Sequence, residues 1–236
     1  MDFISGEILA FDKPYKWTSF DVVGKVRWML CRKLGIKHLK VGHTGTLDPL
    51  ATGVVVVCTG KKTKLIDELQ QHTKEYVATL QLGATTPSYD LEKPIDCTYP
   101  TDHINRQLIE EVIPRFRGEI WQVPPTFSAV KVDGKRAYAY ARKGEEIDLK
   151  PKLLVIDELE ILGYDDESKQ LVLRIVCSKG TYIRALARDI GEALHSGAHL
   201  IALRRTRVGD IRVEDCLNFE KFTEYLDSMN NDDLKI

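Results

Sequence analysis

The chain has 236 residues, 43% of them hydrophobic and 29% charged, with a formal net charge of −1. That length and apolar content support a packed core in one large or two small domains and exclude a disordered chain. No apolar run is long enough for a membrane-spanning helix. The five cysteines, Cys31, Cys58, Cys97, Cys177 and Cys216, are scattered and contain no Cys-x-x-Cys pair; this argues against a disulfide frame or zinc site and for reduced thiols in a cytoplasmic protein.

Charge is unevenly spread. From residue 214 onward seven acids face two bases, a net of −5, which leaves +4 on residues 1–213. Residues 12–40 hold eight Lys/Arg against Asp12 and Asp21, and residues 204–212 hold Arg204, Arg205, Arg207 and Arg212 against Asp210. Such clusters could follow a phosphate backbone, although charge alone is more simply read as solvated helix faces.

In chain order, residues 1–7 lack the basic start and apolar stretch of a secretory signal. Residues 8–13 predict a short strand ending in Asp12-Lys13-Pro14. Thr18 or Ser19 then caps a helix whose apolar positions are Val22, Val23, Val26, Leu30 and Leu34, with Asp21 near its positive end and Gly35 as its stop. Next comes a loop, Gly42-His43-Thr44-Gly45-Thr46-Leu47-Asp48-Pro49-Leu50-Ala51-Thr52-Gly53, feeding the β-branched run Val54–Val57, a buried strand. A glycine-rich loop on a core strand can place a reactive group accurately. On composition alone Asp48 is more simply a turn former, because Asp-Pro starts turns. A phosphate loop at Gly60-Lys61-Lys62-Thr63 fails, since Val55 stands where its first glycine belongs. A metal site lacks a second histidine or cysteine at ligand spacing.

Residues 62–71 predict a short helix. In residues 74–83, alternation puts Tyr76, Ala78, Leu80 and Leu82 on one face of a strand. Residues 84–98 read as a loop. Residues 104–117 read as a helix with Ile104, Leu108, Val112 and Phe116 inward and a kink near Pro114. Residues 122–152 mix Lys131, Lys135, Arg136, Arg142 and Lys143 with Phe127, Tyr138 and Tyr140, a composition suited to gripping RNA and equally to an ordinary soluble hairpin and helix. Strands at 153–162 and 170–177 flank a turn at 165–168, and Gly180-Thr181-Tyr182-Ile183-Arg184 opens a helix at 182–195. Its stripe is Ile183, Ala187, Ile190 and Leu194, which by default leaves Arg184 and Arg188 at the surface. Strands mixed with helices, with no repeat and no flexible linker, predict one α+β domain over 1–236, ending in a short acidic helix and a polar tail from 214.

Taken together, the twelve residues Gly42–Gly53, the Asp12-Lys13-Pro14 turn, Lys74-Glu75-Tyr76-Val77-Ala78, Val123-Pro124-Pro125, Gly134-Lys135-Arg136 and Gly180–Arg184 resemble the TruB family of tRNA pseudouridine synthases. The likeness extends over about residues 6–215. It implies a mixed, largely antiparallel sheet flanked by helices around a central catalytic cleft, and action on uridine 55 in the T arm of tRNA, without a cofactor, as a monomer with no obligate protein partner. It implies that Asp48 is the catalytic residue, that Tyr76 stacks in the site and serves in proton transfer, and that Arg184 pairs with Asp48 and keeps it ionised. Tyr182 and Leu203 would line the pocket, and His43 would fill the gap left by a flipped base. Residues 122–152, with Lys131, Arg136 and Arg142, would be a mobile insertion that closes on the tRNA. The acidic pair usual near residue 90 is reduced to Asp90, and the chain ends too early for the C-terminal PUA-type domain that many members carry. A guide-RNA-dependent synthase and a tRNA-folding chaperone are the alternative readings.

The reaction fits the residues. Moving uracil from an N1 to a C5 glycosidic bond exchanges nothing with solvent, so no cofactor is required. One carboxylate near C1′ and a dry pocket suit rearrangement, whereas hydrolytic glycosidases use a second carboxylate on water. Attack at C1′ and removal of a sugar proton to give a glycal are both open to Asp48. A stacked uridine must first be flipped out, at a cost of a few kcal/mol, part of which stacking on Tyr76 would return, about 1–3 kcal/mol by analogy with single-strand binding.

Overall fold

In the computed structural model, residues 2–229 are described apart from 129, 133, 142 and 146; Arg142, one of the expected RNA contacts, lies outside them. In chain order the elements are β1 (Ile8–Lys13), α1 (Ser19–Leu34), β2 (Val41–His43), β3 (Thr52–Thr59), α2 (Ile66–Leu69), β4 (Lys74–Leu82), β5 (Ala84–Thr85), β6 (Cys97–Thr98), α3 (Arg106–Val112), β7 (Gly118–Gln122), β8 (Lys131–Val132), β9 (Lys135–Arg136), α4 (Ala137–Ala141), β10 (Lys152–Asp165), β11 (Gln170–Cys177), α5 (Ile183–Ala193), β12 (Ala198–Val208), β13 (Ile211–Arg212) and α6 (Phe219–Ser228). The class is α+β, with mixed, mostly antiparallel pairing. The chain forms two compact units, Met1–Glu75 with Arg204–Ile236, and Tyr76–Leu203. It passes from one to the other within β4 and within β12.

The first unit is built on β3. Val54 to Cys58 are all buried, which is what a strand covered on both faces requires. β1 pairs with it antiparallel, Phe11 opposite Val55, and β2 pairs on as well, His43 opposite Val57. β12 returns from far along the chain to run parallel to β3, placing Arg204 opposite Thr52 and Arg205 opposite Gly53. α1 buries Val22, Val23, Val26, Met29, Leu30 and Leu34. Thr18 and Asp21 form its capping box and Gly35, at φ 66°, closes it in the left-handed conformation only glycine adopts cheaply. α6 is fastened to β1 by Leu217, whose N–H donates to Ala10 O at 2.8 Å, and by the rings of Phe219 and Phe222, each 5.2 Å from Phe11.

In the second unit the strand order is β4-β11-β10-β7. β4 alternates as the sequence predicts, with Tyr76, Ala78, Leu80 and Leu82 buried and the residues between them half-buried. β10 pairs antiparallel with β11, through two bulges, and with β7. α5 buries Ile183, Ala187 and Ile190 as expected, and Arg184 with them.

Three local expectations change. Residues 60–71 begin as a 3-10 helix, Gly60–Leu65, and only Ile66–Leu69 is α-helical. Residues 84–98 contain the small β5–β6 pair. The helix at 104–117 is α-helical only to Val112 and turns 3-10 from Ile113, because Pro114 has no N–H to continue the ladder. Of the residues expected inward, Ile104 and Val112 are buried and Leu108 and Phe116 half-buried, while Ile109 and Ile113 are buried in addition.

Candidate active site

The Asp48 loop belongs to the first unit and spans the eight residues between β2 and β3. Its backbone is held from three directions. From α1, Ser19 Oγ accepts from Leu47 N at 2.8 Å and donates to Leu47 O at 3.2 Å, and Leu47 itself is buried. From β12, the buried Arg205 donates through Nε to Val54 O at 2.7 Å, through Nη2 to Gly45 O at 3.2 Å and through Nη1 to Thr46 O at 3.4 Å. From the end of β1, Lys13 Nζ donates to Pro49 O at 3.2 Å, to Pro14 O at 3.0 Å and to Trp17 O at 2.5 Å. Asp48, half-buried, sits between these clamps, and its own carbonyl takes Ala51 N at 3.1 Å. The result is an aspartate whose backbone is held by anchors on both sides, a prerequisite for the preorganisation a catalytic group needs.

Lys13 has no exposed surface. Burial drives its pKa down to about 8; the Asp48 carboxylate pulls the other way and the Arg205 guanidinium adds to the fall. His43, at the end of β2, is half-buried. Burial first, then the Arg205 charge, hold its pKa below the ordinary value, which keeps the ring neutral at neutral pH. Its edge meets the Phe20 ring at 5.8 Å and 84°.

The second unit holds the other candidates. Tyr76 is buried on β4, Tyr182 is half-buried at the entry to α5, and Leu203 is half-buried on β12. Arg184 corrects the default surface reading. It is buried, its Nε 3.7 Å from Asp90 Oδ2, while Nη1 donates to Ser88 O at 3.2 Å and Nη2 to Phe127 O at 3.0 Å. One guanidinium thus ties the 86–90 loop to the Phe127 segment and meets the single acid this region retains. Gln122, 1% exposed, fixes the start of α5 by accepting from Tyr182 N at 2.9 Å and donating to Tyr182 O at 3.2 Å. Lys131 and Arg136 pair across the β8–β9 hairpin, where Arg136 is exposed.

Sequence reasoning missed Lys13, Ser19, Gln122 and the clamp by Arg205. The basic cluster at 204–212 reads from sequence either as a phosphate track or as a solvated face, yet Arg205 is interior, Arg204 forms a two-pronged contact with Asp12 at 2.7 and 3.2 Å, and Arg207 lies 3.7 Å from Glu75. The only local signal was the closeness of Ser19 and Lys13 to a helix start and a turn. Among the described residues there is no group of His, Cys, Asp and Glu able to hold a metal ion, and no helix long and apolar enough to cross a membrane.

An α+β fold of this strand order, carrying one anchored aspartate on a glycine-rich loop, is the pseudouridine synthase fold. Over its whole length the chain superposes on 58% of a chain in the crystal structure of a Cbf5-Nop10-Gar1 complex, with TM-score 0.73 and 29% identity. Over 98% of its length it superposes on 58% of a chain in an H/ACA RNP bound to a substrate RNA containing 2′-deoxyuridine, with TM-score 0.68 and 26% identity. Within that class, residues 32–183 match the N-terminal domain of the TruB family pseudouridylate synthases, and residues 184–235 match the tRNA pseudouridylate synthase B C-terminal domain; the chain belongs to the TruB family. Curated relatives named tRNA pseudouridine synthase B include one from Phocaeicola vulgatus, 67% identical over 96% of both chains, and one from Bacteroides thetaiotaomicron, 67% identical over 96% of this chain and 95% of its own. A relative from Clostridium kluyveri is 44% identical over 94% of this chain and 73% of its own.

Proposed function

We propose that this protein isomerises uridine to pseudouridine in tRNA, at position 55 of the T arm, as a monomer in the cytoplasm with no cofactor and no obligate protein partner. The observation that carries the reading is Asp48, fixed by Ser19, Arg205 and Lys13 in a chain 67% identical to relatives named for that activity. Asp48 is the catalytic carboxylate, acting at C1′ or on a sugar proton. A rearrangement needs one positioned acid and retention of the freed base. Tyr76 offers the uracil a stacking face and a phenol for proton transfer, and Arg184 contributes positive charge. Tyr182 and Leu203 supply apolar wall. His43, neutral at neutral pH, can take the place of the everted base without bringing a charge into the stack. Lys131, Arg136 and Arg142 contact the RNA backbone from the insertion at 122–152.

The test is a tritium-release or mass-spectrometric assay on unmodified tRNA. Wild type is expected to form pseudouridine, and Asp48→Asn to bind the same tRNA while losing activity by at least about four orders of magnitude, the scale of removing a catalytic group that acts as a unit with its neighbours. Full activity in the Asp48→Asn enzyme would sink the assignment. The likeness to chains of the H/ACA RNP favours a second reading, isomerisation directed by a guide RNA. Turnover of tRNA by the purified protein with no other RNA present rejects it.

A further inference from the structure

α1 presents a solvent face that the proposed site does not use. Phe20, Gly24 and Trp28 stand four residues apart on it, so they lie in one line. Phe20 is 73% exposed and Trp28 54% exposed, two aromatic rings that the buried stripe of the helix does not use. Gly24 is also exposed, and a Cβ added there would meet nothing within 4 Å. A mid-helix glycine costs roughly 1 kcal/mol relative to alanine. Packing does not require this one, and the surface between the two rings is open.

Positive charge lies along the same line. Lys25 Nζ is 5.0 Å and Arg32 Cζ 5.4 Å from the Trp28 ring centroid, held by cation–π attraction with their heads at the surface. Lys25, Trp28, Arg32 and Lys33 border a cavity of about 440 Å³ between α1 and α6, where Asp227 is the acid among the lining residues. Asp21, the acid on α1 itself, has its carboxylate taken by Thr18 N and Oγ, each at 2.7 Å. The line ends at His43, against which Phe20 is packed. Aromatic faces interleaved with cations, with a gap for backbone between them, match a nucleic-acid strand rather than a protein partner.

We propose that the exposed face of α1 from Phe20 to Arg32 is a second tRNA-binding surface, in which Phe20 stacks on a nucleotide next to the one His43 meets, and Lys25 and Arg32 neutralise phosphates of the same RNA about 8–18 Å further along the helix. It rests on the reading of His43 as an RNA contact. The Phe20 ring steadies the displaced loop beside the flipped uridine. The cations, braced by Trp28, lose little side-chain freedom on binding.

Two variants test it in the full chain. Lys25→Ala/Arg32→Ala is expected to lower the slope of log affinity for unmodified tRNA against log salt by about two, one for each phosphate no longer neutralised, and to weaken binding about tenfold at low salt. Phe20→Ala is expected to raise KM for tRNA about tenfold with kcat unchanged, and Phe20→Trp to restore it. A double variant with the parental salt slope, or a Phe20→Ala enzyme with the parental KM, overturns the proposal and leaves α1 an ordinary solvated helix or a protein-docking face. If the parent itself forms no pseudouridine, the proposed activity fails, while the salt slopes still decide whether α1 binds RNA.

Discussion

A lysine without exposed surface must give its ammonium protons to acceptors, and Lys13 finds three carbonyls, one of them Pro49 O next to Asp48. Keeping that charge buried costs on the order of 3 kcal/mol, judged from the fall of its pKa from 10.5 to about 8. The folded pKa lies below the unfolded one, so between about pH 8 and 10.5 the unfolded chain binds more protons than the folded one. Lys13 therefore makes the protein more stable as pH rises through that window. Urea unfolding of wild type and Lys13→Met from pH 7 to 10.5 is expected to show this rise in wild type and a flatter profile in the variant; parallel profiles would contradict it. The neutral amine has one donor fewer for three carbonyls, so turnover is expected to decline above about pH 8, and Lys13→Met to be several-fold slower at pH 7 with tRNA affinity near the parental value. Normal turnover in Lys13→Met would show that Ser19 and Arg205 hold the loop unaided.

β3 and β12 form the element pair on which the loop depends. Gly53 has φ +107°, and a Cβ there would lie 2.1 Å from Arg205 O. Gly53→Ala is expected to destabilise the fold by more than about 2 kcal/mol, through a strained backbone and a displaced strand, and to reduce activity because Arg205 would no longer meet Gly45 and Thr46. Denaturant unfolding measures the first effect and the tRNA assay the second; wild-type stability would mean the strands part without cost. In the second unit, Arg184→Lys keeps the charge but cannot span Ser88 O, Phe127 O and Asp90 together, since an ammonium lacks the guanidinium fork. A loss of about 1–3 kcal/mol is expected from the buried acceptors left without a donor. At the start of α1, Thr18→Ala removes the cap and is expected to cost about 1 kcal/mol.

Over the whole molecule, net charge is a poor guide to the partner. The value of −1 combines a tail from residue 214 carrying −5 with +4 on the rest. Several cations of that remainder work inside the fold: Lys13 and Arg205 on the Asp48 loop, Arg27 on Val41 O, Lys33 on Met229 O and Arg204 on Asp12. The cations left at the surface therefore matter individually. Affinity for tRNA is expected to fall steeply with salt despite the negative total, which a titration from about 50 to 300 mM salt checks; a flat response would argue against phosphate binding altogether.

Local features were legible in the chain because their causes are local. The α1 capping box, the alternation of β4, the buried Val54–Val57 run and the glycine-rich Asp48 loop each follow from neighbours a few residues apart, and the family resemblance rests on such contiguous runs. The 3-10 turn at 60–65 is not legible because α and 3-10 helices share similar apolar spacing and backbone hydrogen bonding separates them, whereas the one at 113–116 falls at the break the sequence places near Pro114. What grips Asp48 could not be read at all. Arg205 reaches Gly45 across 160 positions of sequence, and Ser19 reaches Leu47 across 28. Arg184 looked like a surface residue until Ser88, Asp90 and Phe127 surrounded it. Sequence by itself determined the family motifs and the type of most elements, α1, β1, β3 and β4 among them, since propensity and pattern act over a few residues. Tertiary structure alone decided which charges are buried as clamps and which face water, because burial depends on strands and loops that meet only when distant parts of the chain pack.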